Sequence, residues 1–421
     1  MQWQSSPPAD ALHMVLFSQP TTPREALRPH GDANVSQAPG DLHTAQTSLA
    51  GVRGMLTMLV VFGHASLPFL GVSPSRDDPS WVRLLEHVST LLAAVRMPAF
   101  LLLAGMVIWR GIDTNDAGAY VAKRLMRLGI PLGFVLVMIN PLEIWLRIRH
   151  GELLGRWQTE TIFESTIPGV LDGTAILHLW FIRALLYTTL LSPLLAGAVA
   201  RMSREVKIGV VVALLFIGSG AQLVAWHLDA TFRAHGGGEW LTPSRLLLVI
   251  RFVTIGMIFS SDPKLLVWLL GRVRAAMVLI SLAAAVVVAT TGSRAPAAIV
   301  LHTLAMAALP IPSIVVLSAI LQSNTTWRRS FVDLDSSGYT IYLFHHIMVV
   351  ASAVALKTWL GNSVLAFVLT FGIGLTAPLL LDLHVVRRYG LFAFLINGVL
   401  TSNGRRSRSR ALDALQGSVR N

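Results

Sequence analysis

Arg53 and His64 stand eleven residues apart in the run RGMLTMLVVFGHASLPF. On a helix that spacing returns to within about 20° of the same face and rises roughly 16 Å, placing a guanidinium at a membrane surface and an imidazole near mid-bilayer. An ionisable group at that depth is costly to bury and reads first as functional, the alternative being an imidazole hydrogen-bonded within a bundle. Imidazole suits proton transfer because it titrates near neutrality. Guanidinium matches phosphate oxygens. Further polar groups recur at the edges of apolar runs: Arg96, Arg124 and Arg127, His178 with Trp180, Arg251, and Tyr342 with His345 and His346. Singly, each has a bland reading as an interfacial anchor or a snorkelling cation. Together they give cations and imidazoles at both faces of a bundle, which a purely structural protein has little reason to maintain.

The thirteen histidines raise the question of metal. The closely spaced pair, His345-His346, diverges by about 100° on a helix, whereas zinc pairs use wider spacing such as i and i+4. No HExxH, carboxylate pair or serine-centred elbow occurs, so no metal is expected. His302, alone in its apolar run, reads as structural.

Composition defines the elements that must position these groups. The chain has 421 residues, 53% hydrophobic and 13% charged, well under the roughly 25% charge of an average soluble domain. The expected fold is all-α, a polytopic membrane bundle of about ten transmembrane helices. With no cysteine, disulfides, thiolate catalysis and thiolate metal sites are excluded. Residues 1–48, rich in Pro, Ser, Thr, Gln and Ala, are expected to be a disordered cytoplasmic tail; no cleaved signal peptide is expected. Residues 49–386 form the membrane domain and 387–421 a basic cytoplasmic tail. Apolar segments long enough to cross a bilayer cover 52–71, 91–109, 128–146, 178–199, 207–226, 244–260, 275–291, 296–320, 337–358 and 363–383, with 265–270 able to extend the seventh. Lys and Arg number 22 on the N-terminal side of the membrane and eight in the opposite loops, which places both termini in the cytoplasm. The net charge of +12 and the RSRSR run at 406–410 fit anionic lipid better than nucleic acid.

Arg53 and His64 with the ten residues between them, VRMPAFLLLAGM at 95–106, KRLMRLGIPL at 123–132, HLWFIRALL at 178–186 and YTIYLFHH at 339–346 together resemble the integral-membrane acyltransferase 3 family. The likeness is greatest to the branch containing the succinyltransferase of periplasmic glucans. It runs in order over residues 52 to about 385. The resemblance implies a ten-helix enzyme of the cytoplasmic (inner) membrane that moves an acyl group from cytoplasmic acyl-CoA to a hydroxyl of an extracytoplasmic glycan, glycolipid or other acceptor, with no permanently bound cofactor. His64 and His345 are then the catalytic imidazoles, His64 as general base or, in a two-step route, as nucleophile. Arg53, Arg124, Arg127, Tyr342 and His346 are assigned to the donor, and Arg96, His178, Trp180 and Arg251 to the acceptor. From another class, a transporter or flippase of a polar lipid or sugar also uses intramembrane cations, but no internal repeat between halves supports it. An assembly scaffold would leave Arg53 and His64 without a reason.

Overall fold

In lipid the backbone must satisfy its own hydrogen bonds, and long apolar runs do so as helices. The computed structural model describes residues 38–71, 77–113, 116–159, 178–234, 242–290 and 295–398, and among them there is no strand. The helices are α1 (Ala38–Ser66), α2 (Ser80–Asp113), α3 (Ala117–Met138), α4 (Asn140–His150), α5 (Trp180–Ala200), α6 (Arg204–Ala234), α7 (Pro243–Ser261), α8 (Pro263–Leu270), α9 (Val273–Thr290), α10 (Pro296–Ala308), α11 (Pro310–Ser323), α12 (Thr325–Leu360), α13 (Val364–Leu381) and α14 (Gly390–Asn397). Among the described residues nine helices are long and apolar enough to cross a membrane, or ten if a bent pair counts as one span. Leu194, Ile217 and Leu282 point outward, as lipid-facing residues of such a bundle do.

Several expected boundaries move. Helix α1 begins at Ala38, inside the stretch read as tail, whereas residues 1–37 lie outside the described residues. The expected third span is the bent pair, turning by 40° between α3 and α4. Pro141, in the first turn of α4, has no backbone N–H to continue the ladder. The eighth span is interrupted in the same way at Leu309-Pro310, between α10 and α11. Residues 265–270 extend neither neighbour. They form α8, started by Asp262, whose carboxylate accepts from the Leu265 N–H at 3.0 Å. Part of the expected C-terminal tail is ordered, since α14 packs on α3 and buries Ile396 beside Leu128 and Leu132. Residues 399–421 lie outside the described residues.

The main core joins Val52 and Leu56 of α1, Leu101 to Leu103 of α2 and Val253 to Ile258 of α7. On its other side α1 lies along α12, the longest helix at 36 residues; at 1.5 Å per residue this is about 54 Å, more than the roughly 30 Å hydrocarbon layer. Arg53 pairs with Asp335, and His64 meets His346. Later residues pair with later ones, so the two helices run in the same direction. Both rungs are separated by eleven residues on either helix, 53 to 64 and 335 to 346.

Candidate active site

Four imidazoles from two helices and one helix approach converge. His64 ends α1, His345 and His346 lie midway along α12, and His178 lies in the turn leading into α5. The His64 ring centroid is 5.2 Å from His345 and 4.8 Å from His346. His178 stacks on His346 at 4.3 Å and stands 5.2 Å from His345. His64 is partly exposed, while His178, His345 and His346 are buried.

Their ring nitrogens are differently engaged. His345 donates Nδ1–H to the carbonyls of Ile341 and Tyr342, at 3.0 and 2.9 Å, so its buried Nε2 keeps a lone pair with no partner. His178 directs Nε2 to the Leu343 carbonyl at 3.4 Å, and its Nδ1 is buried without a partner, as is Nδ1 of His64. Tyr342 donates its hydroxyl to the His178 carbonyl and so holds the histidine's backbone.

Close packing brings the remaining groups in. Arg96 of α2 places Nη1 1.2 Å from where a Cβ on Gly63 would stand, so only glycine there admits the guanidinium beside His64. That Nη1 is buried and has no hydrogen-bond partner. The segment after α4 folds back through Gly155, at φ +54, where a side chain would strike the Pro68 and Leu70 carbonyls at 2.4 Å. Arg156 fixes it by an ion pair with Glu86 of α2 at 2.7 Å. Trp157 then lies 4.7 Å from the His346 ring and 6.3 Å from His64.

Glu143, Arg147 and Trp157 belong to the site although the sequence reading did not select them. Glu143 and Arg147 are one helical turn apart on α4 and joined at 3.0 Å, with side chains 0% and 2% exposed. Arg147, counted from sequence among the loop cations, is buried, with its guanidinium 4.4 Å over the Trp157 ring. A carboxylate four residues before an arginine inside the apolar stretch PLEIWLRIR was the available signal. Glu143, His178 and His346 each offer one potential ligand atom, all within 4.8 Å of one another, a constellation that spacing along the chain did not show. The set already holds a cationic guanidinium, since Arg147 occupies the same Glu143 oxygen that faces His346.

Other candidates lie elsewhere. Arg53 makes a two-point ion pair with Asp335, Nε to Oδ1 at 3.1 Å and Nη2 to Oδ2 at 2.7 Å. Arg124 is buried, with Nε donating to Thr189 Oγ1 at 3.2 Å. Arg124 and Arg127 both face Tyr339, one turn along α12 from Asp335. Arg251 binds the Leu215 carbonyl and Ser219 Oγ of α6, each at 2.9 Å, and Trp180 lies under Arg245 at 5.8 Å. Neither contact involves the histidines. His302 hydrogen-bonds Thr290 at 3.0 Å, tying α10 to α9. The site is thus a chamber of imidazoles around the C-terminal end of α1, with Arg96 and Arg147 beside it and Arg53, Arg124 and Arg127 gathered at the other rung of the α1–α12 pair.

No curated protein and no solved structure gives a match to this chain. Residues 46–383 match the acyltransferase 3 family, described as an acyltransferase domain. That match covers most of the chain and contains all four histidines of the chamber, and it joins a helical bundle of membrane-crossing length; the protein is an integral-membrane acyltransferase and belongs to the acyltransferase 3 family.

Proposed function

We propose that the protein takes an acyl group from cytoplasmic acyl-CoA and transfers it to a hydroxyl of an extracytoplasmic glycan or glycolipid, with His64 as general base. The observation that carries this reading is the placement of one partly exposed imidazole, His64, in front of three buried ones. An O-acylation from a thioester needs a base for the hydroxyl proton and a donor for the oxyanion. His64 fills the first need. Arg96, with an unpartnered Nη1 beside Gly63, fills the second or holds an anionic acceptor.

The donor end follows from the other rung. Arg53, Arg124 and Arg127 gather around the Asp335–Tyr339 turn of α12, about 16 Å of helix rise from His64, a distance a pantetheine arm spans while the nucleotide stays at the surface. Arg124 and Arg127 carry the phosphate contacts; Arg53, already held by Asp335, supplies charge beside them. Tyr342, one turn before His346 on α12, lines the path of the arm, and His346 stands at its chamber end. His178 faces the acceptor, with Trp180 and Arg251 further along its approach. In this reading the protein lies in the cytoplasmic membrane with both termini in the cytoplasm. The resemblance to the glucan succinyltransferase branch points to a dicarboxylic acyl group and a periplasmic glucan. Mass spectrometry of envelope glycans and exported glycolipids from cells with and without the protein tests this: a mass difference of one acyl unit is expected, and identical spectra would remove the proposal.

A further inference from the structure

Accessibility falls in one direction through the chamber. His64 is partly exposed, His346 is 2% exposed and Glu143 is 0% exposed. Glu143 Oε1 accepts a short hydrogen bond from His346 Nδ1 and is joined to Arg147 Nη2 at 3.0 Å. A carboxylate in such a pair only accepts hydrogen bonds, so Nδ1 of His346 carries the hydrogen and Nε2 the lone pair. Arg147 Nη2 is 3.3 Å from each ring nitrogen of His346; equidistant from both, it faces the ring and caps neither lone pair. His345 and His178 are anchored through backbone carbonyls instead, and neither hydrogen-bonds a carboxylate among the described residues. His346 is therefore the imidazole with an acidic group behind it, and its ring is next to His64.

We infer that Glu143 is a positioning residue for acyl transfer, acting through His346, and that the Glu143–His346 pair receives the proton that His64 removes from the acceptor hydroxyl. This rests on the acyltransferase reading with His64 as base, and it adds the path that the proton takes afterwards. The acceptor O–H bond breaks and its proton goes to His64 as the oxygen forms a C–O bond with the thioester carbonyl carbon. The C–S bond then breaks and the CoA thiolate leaves with the electron pair. The proton passes from His64 to Nε2 of His346, across rings 4.8 Å apart, where the Glu143 carboxylate stabilises the imidazolium. From there it reaches the thiolate, giving the free thiol and returning both histidines to their starting state. Arg147, Trp157, His178 and His345 also face His346. Together they fix its plane.

The test uses the purified full chain in detergent, with acyl-CoA as donor and the acceptor identified from the glycan spectra. Glu143→Gln keeps an oxygen for Nδ1–H but removes the charge. The expected result is a fall in kcat of about 10²-fold, at the lower end of general acid–base contributions, with KM for acyl-CoA unchanged. A larger solvent deuterium isotope effect on kcat is also expected, because proton transfer becomes limiting. Glu143→Asp recovers part of the loss. Full kcat in Glu143→Gln, or a loss in proportion to folded protein with the isotope effect unmoved, overturns the inference. Should Glu143→Gln fail to fold because Arg147 is left without its countercharge, the Glu143→Gln/Arg147→Gln double variant removes both buried charges, and its isotope effect decides. The two readings fail separately: absence of transfer by the wild-type protein sinks the acyltransferase proposal, whereas normal wild-type transfer with an unaffected Glu143→Gln sinks only this one.

Discussion

His64 is the chamber's accessible imidazole, and the other three are buried behind it. His64→Gln keeps a polar side chain of similar length, so the fold is expected to survive. Acyl transfer should drop by at least about a hundredfold, on the scale of a general base, while acyl-CoA still binds. Activity and thermal stability measured side by side decide the matter; activity lost only in step with folded protein would make His64 structural. At this scale the sequence was partly legible. His64, His178, His345, His346 and Arg96 could be singled out because charge inside apolar runs is rare, and the structure brings them together. Glu143, Arg147 and Trp157 escaped because they lie in a segment that reads as the end of a span and a loop; the bend before α4 places the first two, and the fold-back through Gly155 brings in Trp157. Arg251 escaped in the opposite sense. Its charge stands out in sequence, yet Ser219 and a carbonyl of α6 take it up.

Helices α1 and α12 act as one unit because two rungs fix their register. Slippage by a residue would break the two-point Arg53–Asp335 pair and rotate His64 by about 100° away from His346. Asp335→Asn leaves Arg53 partly buried without its countercharge and should lower stability by about 3 kcal/mol, within the range for breaking one side of such a pair. Arg53→Ala should do the same, and the double variant should lose less than the two singles added together, a coupling that a double-mutant cycle measures. Donor affinity separates register from phosphate binding. Arg127→Ala is expected to weaken acyl-CoA binding, and Asp335→Asn to leave it intact while slowing transfer; the reverse pattern would exchange these roles. Span existence and order were readable from apolar runs alone, since lipid admits little but helix. The interruptions at Pro141 and Pro310 were not, because a proline within an apolar run is compatible with a kinked span as well as a broken one. The ordered α14 was missed because its apolar stretch is too short to cross a bilayer.

The whole bundle is polar in direction. Helix α1 leads from the Arg53 end to the His64 end, and α2 begins at Ser80 on the His64 side, whereas Thr325 opens α12 at the Arg53 end. In the proposed orientation, which rests on the charge asymmetry of the loops, the Arg53 end faces the cytoplasm. The cysteine-free chain allows Ser80→Cys and Thr325→Cys to be labelled with an impermeant reagent applied to one face at a time; both positions are exposed. Ser80→Cys should react from outside and Thr325→Cys from the cytoplasm, and the opposite pattern would invert the molecule. If, as proposed, donor and acceptor reach the chamber from opposite faces, it also carries a hazard of another kind. Neighbouring imidazoles can hand protons along, so a membrane that stores energy as a proton gradient would be drained through them. Arg96, against His64 and with no hydrogen-bond partner on Nη1, puts a fixed positive charge at that crossing, where it repels hydronium and other cations as an arginine in a selective pore does. The protein in liposomes under an imposed pH gradient should be proton-tight, and Arg96→Gln should leak; Arg96 is then insulation for the membrane in which the enzyme works.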